Sequence, residues 1–182
     1  MNLFIDTHLN DIVIILHQNG KIIKEKIIKE KKEHSRLIMP TIKEILDNKI
    51  PESIIVVNGP GSFTGVRLGV TIAKTLAYTM DVPIRTITSL ECIAISTMED
   101  LKIVGFNDNN GYYVGVFDDA YNLIGNLDYL SNSEFEEYSK KYKVVLEKFL
   151  NYERIINYAL TKETLNPHEV NPIYVKKLDV EK

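Results

Sequence analysis

Ser53-Ile54-Ile55-Val56-Val57-Asn58-Gly59-Pro60-Gly61-Ser62-Phe63-Thr64-Gly65-Val66-Arg67-Leu68-Gly69 is the stretch on which the fold turns. Ser53 to Asn58 is short, apolar and β-branched, the pattern of a buried strand. Gly59-Pro60-Gly61 interrupts it, and Ser62 offers the hydroxyl of a helix N-cap, so a helix is predicted from there to about Thr79. On that helix Val66, Val70, Ala73 and Ala77 form one stripe, while Phe63, Arg67, Val70 and Lys74 trace another side. Phe63, Leu68, Ile72, Thr75 and Leu76 widen the apolar surface. That width predicts burial on more than one side, against the sheet or a partner chain.

Upstream, Asn2 to Asp6, Asp11 to His17 and Lys21 to Ile28 read as strands. Asn19-Gly20 suits a type I′ turn, which makes the second and third strands antiparallel neighbours. The unbroken run Ile12 to Leu16 suits a strand covered on both faces. A charged stretch, Lys29 to Glu33, leads to a helix predicted from an N-cap at Ser35 to about Asp47, with Pro40 in its early turns pushing the start later. Downstream, Val82 to Ile87 reads as a strand, and Ser89 as the cap of a helix carrying Leu90, Ile93, Ala94 and Met98. The order β-β-β-α-β-α-β-α, a hairpin followed by βα repeats, predicts a ribonuclease-H-like, actin-type α/β lobe over residues 1–100. A smaller α/β lobe over 101–182 is expected to pack closely on it. Its predicted strands are Lys102 to Phe106, Tyr112 to Phe117 and Tyr121 to Tyr129, and its helices Ser133 to Tyr142 and Leu150 to Leu160.

With 182 residues, 45% apolar and a net charge of −3, the chain has the composition of an ordinary globular protein. Neither a membrane span nor a basic-then-apolar leader is written, so the expected compartment is the cytoplasm. Cys92 is the single cysteine and sits in an apolar run, which predicts a core thiol. A pI near 5.8 argues against nonspecific nucleic-acid binding by the chain as a whole. The basic run Lys21, Lys24, Lys26, Lys29, Lys31, Lys32 and Arg36 is diluted by Glu25, Glu30 and Glu33. It reads as a solvated face, with contact to RNA phosphates as the alternative.

The strand-to-helix loop at Gly59 is the natural place to look for chemistry, because a helix N-terminus exposes backbone N–H groups to anions. No Lys follows Gly65 as a Walker loop requires, Thr64 stands where a dinucleotide fingerprint needs glycine, and Pro60 removes a donor. Phosphate binding therefore competes with a packing role in which Gly59, Gly61 and Gly65 let the helix approach neighbouring backbone. Gly61-Ser62-Phe63-Thr64-Gly65 is not a nucleophile elbow, and His8, His17, His34 and His168 have no metal-ligand spacing, so neither a catalytic residue nor a metal is predicted. Asp6 at the end of the first strand, followed by Thr7, stands where actin-like ATPases place a carboxylate near phosphates and metal.

Asn58 to Gly69, followed by Ala73-Lys74 and Leu76-Ala77, closely resembles the signature of the TsaB (YeaZ) family. Ile5-Asp6-Thr7, Glu33-His34-Ser35 before Leu37 and Pro40, Ser89-Leu90 and Pro172-Ile173-Tyr174-Val175-Lys176 appear in the order similar to that family. The resemblance covers residues 1 to about 95 well and is thin beyond. It implies a two-lobed actin-like fold and a non-catalytic scaffold for a TsaD-like enzyme, which threonylcarbamoylates adenosine 37 of tRNAs reading codons that begin with A. It further implies a homodimer when alone, a TsaE-like ATPase as third member, tRNA reached indirectly, and no cofactor of its own, ATP or ADP entering only at a subunit interface. The implied contacts are His34, Leu37, Ile38 and Thr41 on the first helix of the lobe and Phe63, Thr64, Arg67, Val70, Thr71 and Lys74 on the second. Val70→Glu is then expected to break pairing in a folded chain. The competing class is a nucleotide-binding, kinase-like or glycoprotease-like enzyme using the Gly59 loop. Two departures stand out: Leu9 replaces the Ser or Thr usual in the family, and Phe106 to Tyr113 lacks the family's arginine there.

Overall fold

A computed structural model describes residues 1–29, 34–98, 102–147 and 149–175. It opens with β1 (Asn2–Asp6), β2 (Asp11–Gln18), β3 (Lys21–Lys29), α1 (His34–Leu46), β4 (Ser53–Val57), α2 (Phe63–Met80), β5 (Ile84–Ile87) and α3 (Ser89–Ser96), the order read from the sequence. The five strands form one sheet in the order β3-β2-β1-β4-β5. β1, β2 and β3 run antiparallel, and β1, β4 and β5 run parallel. Asn19 and Gly20 both take positive φ, as a type I′ turn demands.

Alternation along the inner strands divides the core in two. Leu3, Ile5, Ile12, Ile14 and Leu16 face α1 and α2, while Phe4, Val13 and Ile15 join the cluster formed with α3 and α5. β2 is thus covered on both faces, which is why its apolar run has no polar alternation. On α2 the predicted stripe Val66, Val70, Ala73 and Ala77 is buried against the sheet, each valine contributing about 1.5–3 kcal/mol. Of the apolar width beyond that stripe, Leu76 is buried, Leu68 and Ile72 are half-buried against the same core, and Phe63 is exposed.

The second sheet, in the order β8-β7-β6-β9, is made by β6 (Lys102–Asp108), β7 (Gly111–Phe117), β8 (Asp128–Ser131) and β9 (Val145–Leu146). α4 (Asn132–Lys141) lies over β7 and β8, and α5 (Tyr152–Ala159) packs beside α3. Val104, Phe106, Tyr113 and Phe117 of this sheet share one core with α3 and α5. From Leu165 the chain turns back to the first sheet, bonding Leu165 N to Ile84 O and Ile173 N to Asn58 O.

Local expectations at three helix starts and one strand need correction. Ser35 is inside α1 rather than its cap, and Pro40 does not delay the helix, because its ring is on the exposed side while Ile38, Ile42, Ile45 and Leu46 are buried. Burial of that stripe outweighs the one hydrogen bond proline removes. Thr88, not Ser89, caps α3: its hydroxyl accepts from Glu91 N at 3.0 Å, and Glu91 returns the bond to Thr88 N at 2.7 Å. Thr88→Ala is expected to destabilise the chain by about 1 kcal/mol, read as a shift in the urea midpoint at unchanged slope. α5 begins at Tyr152, capped by Asn151, not at Leu150. The strand predicted over Tyr121 to Tyr129 reduces to Asp128–Ser131, since Tyr121 and Gly125 take positive φ and Leu123 and Ile124 stay exposed. Met98 is exposed just beyond α3, and Cys92 is fully buried, where loss of solvent pushes its thiol pKa up. Of the basic run, Lys21, Lys24 and Lys29 are exposed on the edge strand β3, Lys26 pairs with Glu44, and Lys31 and Lys32 lie outside the described residues.

Candidate functional site

β1 ends at Asp6, and the turn Thr7-His8 that follows is pressed beneath the start of α2. Ser62 caps α2 as read, its hydroxyl accepting from Gly65 N at 3.3 Å. Ser62 N donates to His8 O at 2.7 Å, and the Thr7 hydroxyl donates to Gly65 O at 2.7 Å. A Cβ on Gly61 would sit 2.2 Å from His8 O, one on Gly65 2.2 Å from Thr7 O, and one on Gly69 2.3 Å from Thr7 Oγ1. The motif's glycines therefore form a contact line along which α2 touches the β1 turn. Side chains are excluded there by backbone carbonyls at Gly61 and Gly65 and by the Thr7 side chain at Gly69.

Asp6 and His8 are both buried, and His8 Nδ1 lies 2.6 Å from Asp6 Oδ1. On its other edge His8 Nε2 faces Glu147 Oε2 at 3.6 Å, a charge contact too long for a hydrogen bond. Glu147 follows β9, so this imidazole ties the first sheet to the second. Burial alone would lower the His8 pKa, but Asp6 and Glu147 outweigh it and push the group up to about 10. His8 is therefore an imidazolium at neutral pH. Its folded pKa lies above the ordinary value of 6.5, so its contribution to stability is complete below pH 6.5 and is lost as pH rises through about 10. The stability difference between the chain and His8→Asn, measured by urea unfolding, is expected to be largest near pH 6 and to shrink toward pH 10.

Around this pair is a cavity of about 270 Å³ lined by Asp6, His8, Leu9, Asn10, Asp11 and Glu147 among others. Three carboxylates surround one imidazolium that is already committed to two of them. A phosphate placed there would meet excess negative charge. The close packing accounts for Gly61, Gly65 and Gly69 as contact residues. Among the described residues, no group of three or more His, Cys, Asp and Glu side chains could hold a metal ion, and no helix is long and apolar enough to cross a membrane.

The residues expected at a partner surface divide sharply. Ile38 is fully buried, Thr41 is 3% exposed and Val70 is 1% exposed, so these three belong to the monomer core and offer nothing to a partner. Thr41 instead donates its hydroxyl to Leu37 O at 2.8 Å. Leu37 is half-buried, Thr64, Arg67 and Thr71 are exposed, and of His34 only its place as first residue of α1 is described. Phe63 is 43% exposed, with the Arg67 guanidinium over its ring at 3.8 Å. Lys74 donates to Val170 O at 2.9 Å and His168 O at 3.3 Å. Glu147 and the carbonyls held by Lys74 are additions that a local reading had no signal to find. The segment where the family's arginine is missing forms the β6–β7 hairpin, whose Tyr112 ring stacks on Phe135 at 3.7 Å.

Comparison with known proteins shows what the chain is similar to. A family model described as "TsaD: tRNA N6-adenosine threonylcarbamoyltransferase" matches residues 21–108. The tRNA threonylcarbamoyladenosine biosynthesis protein TsaB of Bacillus subtilis (strain 168) is 43% identical over 97 residues, covering 50% of this chain and 42% of that relative. Its namesake from Haemophilus influenzae is 39% identical over 71 residues, covering 36% of this chain and 30% of the relative. A crystal structure of a Pseudomonas aeruginosa protein with similarity to peptidase YEAZ overlays with a TM-score of 0.78, 16% identity, and coverage of 96% of this chain and 99% of that one. Over about half its length the chain is similar to TsaB proteins. The matched stretches span less than half the length of these curated TsaB relatives. YeaZ from Pseudomonas aeruginosa, at a TM-score of 0.76 and 17% identity over 95% of this chain and 98% of that one, has the same fold.

Proposed function

We propose that this chain is the accessory TsaB-type subunit of the system that makes threonylcarbamoyladenosine on tRNA, acting as a scaffold for a TsaD-like enzyme rather than as the catalyst. The observation that carries this reading is the use of the Gly61-Gly65-Gly69 line for contact with Thr7 and His8. In an actin-type lobe the same strand-turn-helix junction could cradle phosphates, but here it spends its glycines on holding α2 against β1. α2 is thereby fixed as a rigid helix whose other side, with Phe63, Thr64, Arg67 and Thr71, remains exposed. A fixed helix with an exposed aromatic and a stacked arginine is the raw material of a docking surface.

In this reading α2 together with α1 pairs with the TsaD-like subunit, and two copies of this chain pair through the same face when the enzyme is absent. A TsaE-like ATPase joins the pair, tRNA is reached through the complex, and any nucleotide sits at a subunit boundary. The working compartment is the cytoplasm.

Size-exclusion chromatography with light scattering tests the reading, on the chain alone and mixed with the TsaD-family protein from the same source. A heteromeric peak is the expected result. Failure to associate, with ATP or ADP and the TsaE-type protein also present, would remove the scaffold role. Saturable ATP binding by the isolated chain, abolished by Gly61→Val, would favour the enzyme reading instead.

A further inference from the structure

Between Asn166 and Val175 the chain runs along the outer side of α2, from its C-terminal end to its first turn. The Tyr78 ring meets His168 at a centroid distance of 5.0 Å. Lys74 then holds the carbonyls of His168 and Val170, and Val170 itself is buried among the α2 residues of the first core cluster. Further along, Asn58 Nδ2 donates to Asn171 O at 3.3 Å, and Ile173 N donates to Asn58 O at 2.8 Å. At the first turn of α2, Tyr174 OH accepts from Arg67 Nε at 2.6 Å, and the Tyr174 and Phe63 rings lie 5.5 Å apart. The Arg67 guanidinium lies over both rings, 3.8 Å from the Phe63 centroid and 5.5 Å from that of Tyr174.

These contacts reach the length of α2, and they engage Arg67 and Lys74, both of which the family resemblance assigns to a partner. Lys74 is half-buried, with its ammonium on two backbone carbonyls. Pulling it away to meet another chain would leave those carbonyls without their donor. The exposed groups beside it are aromatic: Phe63 at 43%, Tyr174 at 49% and Tyr78 at 64%. Large aromatic side chains and a stacked arginine are the residue types that dominate binding energy at interfaces, and each of these three rings keeps a large exposed part despite its contacts.

We propose that the partner surface of α2 is composite: the strap Asn166–Val175 is part of it, and Lys74 is a positioning residue that holds the strap in place. This rests on the scaffold reading above and deepens it. The surface it defines is a ridge of Phe63, Tyr174 and Tyr78 with one stacked cation, Arg67. It fits an apolar helix face of the TsaD-like subunit carrying a carboxylate opposite Arg67, since a guanidinium already held in plane by two rings takes a carboxylate with little further ordering.

Binding of the full chain to the TsaD-family protein by isothermal titration, together with hydrogen exchange of the complex, tests this. Tyr174→Ala is expected to weaken association by roughly tenfold or more, as removal of a central aromatic does. Lys74→Met keeps the aliphatic stem and is expected to weaken association by roughly three- to tenfold through loss of strap order. The two effects should not add, because Lys74→Met has little left to disturb once Tyr174 is gone. Amides of the strap, Ile173 among them, should gain protection in the complex and lose it in free Lys74→Met. Wild-type affinity for Tyr174→Ala, with complex formation protecting α2 but leaving the strap unchanged, would overturn the proposal while leaving the scaffold reading standing. Additive losses from the two variants would place Lys74 in direct contact with the partner and remove its positioning role. No association by the wild-type chain would instead remove the scaffold reading, and the composite surface with it.

Discussion

Alanine at position 65 is expected to lower the melting temperature by roughly 6–12 °C, the shift that about 3 kcal/mol produces in a chain of this size. Its Cβ would sit 2.2 Å from the carbonyl oxygen of Thr7, well inside van der Waals contact. Neither side can yield cheaply. Thr7 is 1% exposed at the end of a central strand, and its hydroxyl is bonded to Gly65 O itself. A shift of α2 large enough to relieve the clash would also pull Val66, Val70 and Ala73 from the sheet. Differential scanning calorimetry of Gly65→Ala beside Thr64→Ala, one residue away on the exposed side, isolates the contact from helix propensity. A Gly65→Ala curve within about a degree of wild type would mean that α2 can ride over the β1 turn, contrary to the rigid platform described above.

The second large effect separates core from surface on adjacent residues. Val70→Glu is expected to destabilise the chain by about 3–5 kcal/mol, because it places an unpaired carboxylate at a site 1% exposed. That is an unfolding variant, and any loss of pairing it causes says nothing about an interface. Thr71→Glu, on the exposed side, should change stability by less than about 0.5 kcal/mol. It is nevertheless expected to weaken association with the TsaD-like subunit by roughly tenfold, by setting a charge into a buried contact. Chemical denaturation and sedimentation on both variants check the pair. A folded Thr71→Glu chain that associates normally would move the partner surface off this side of α2.

What could be read in advance follows the range of the interactions. The β-β-β-α-β-α-β-α order rests on signals that are local: the unbroken apolar run of β2, the Asn19-Gly20 turn, the Ser62 cap and the i, i+4 spacing of Val66 and Val70. Each is decided within a few residues, and each is found as expected. The pattern sets the short strand β8 too early because Tyr121 to Tyr129 carries Leu123 and Ile124, apolar residues that the fold leaves in solvent. The resemblance points Ile38, Thr41 and Val70 toward a partner, and a helix pattern cannot correct it, because it gives the width of an apolar stripe but not which part of it the sheet consumes. The contacts that shape the site are long-range: His8 meets Glu147 and Arg67 meets Tyr174, and no local pattern announces either pair. Only Tyr174 could have been noticed, as part of the terminal Pro172-Ile173-Tyr174 stretch, and that stretch carries no sign of where it folds back.

The edge strand β3 limits how two copies can meet. Lys21-Ile22-Ile23-Lys24-Glu25-Lys26-Ile27-Ile28-Lys29 reads the same in both directions about Glu25. Two such edges joining antiparallel, with Ile22 against Ile28 and Ile23 against Ile27, would necessarily set Lys21 against Lys29, Lys24 against Lys26, and Glu25 against itself. Every charged pair in that register is a like-charge pair, directly opposed at cross-strand distance. The mirror symmetry that aligns the isoleucines thus carries its own veto, and the open edge of the sheet stays closed to its own image.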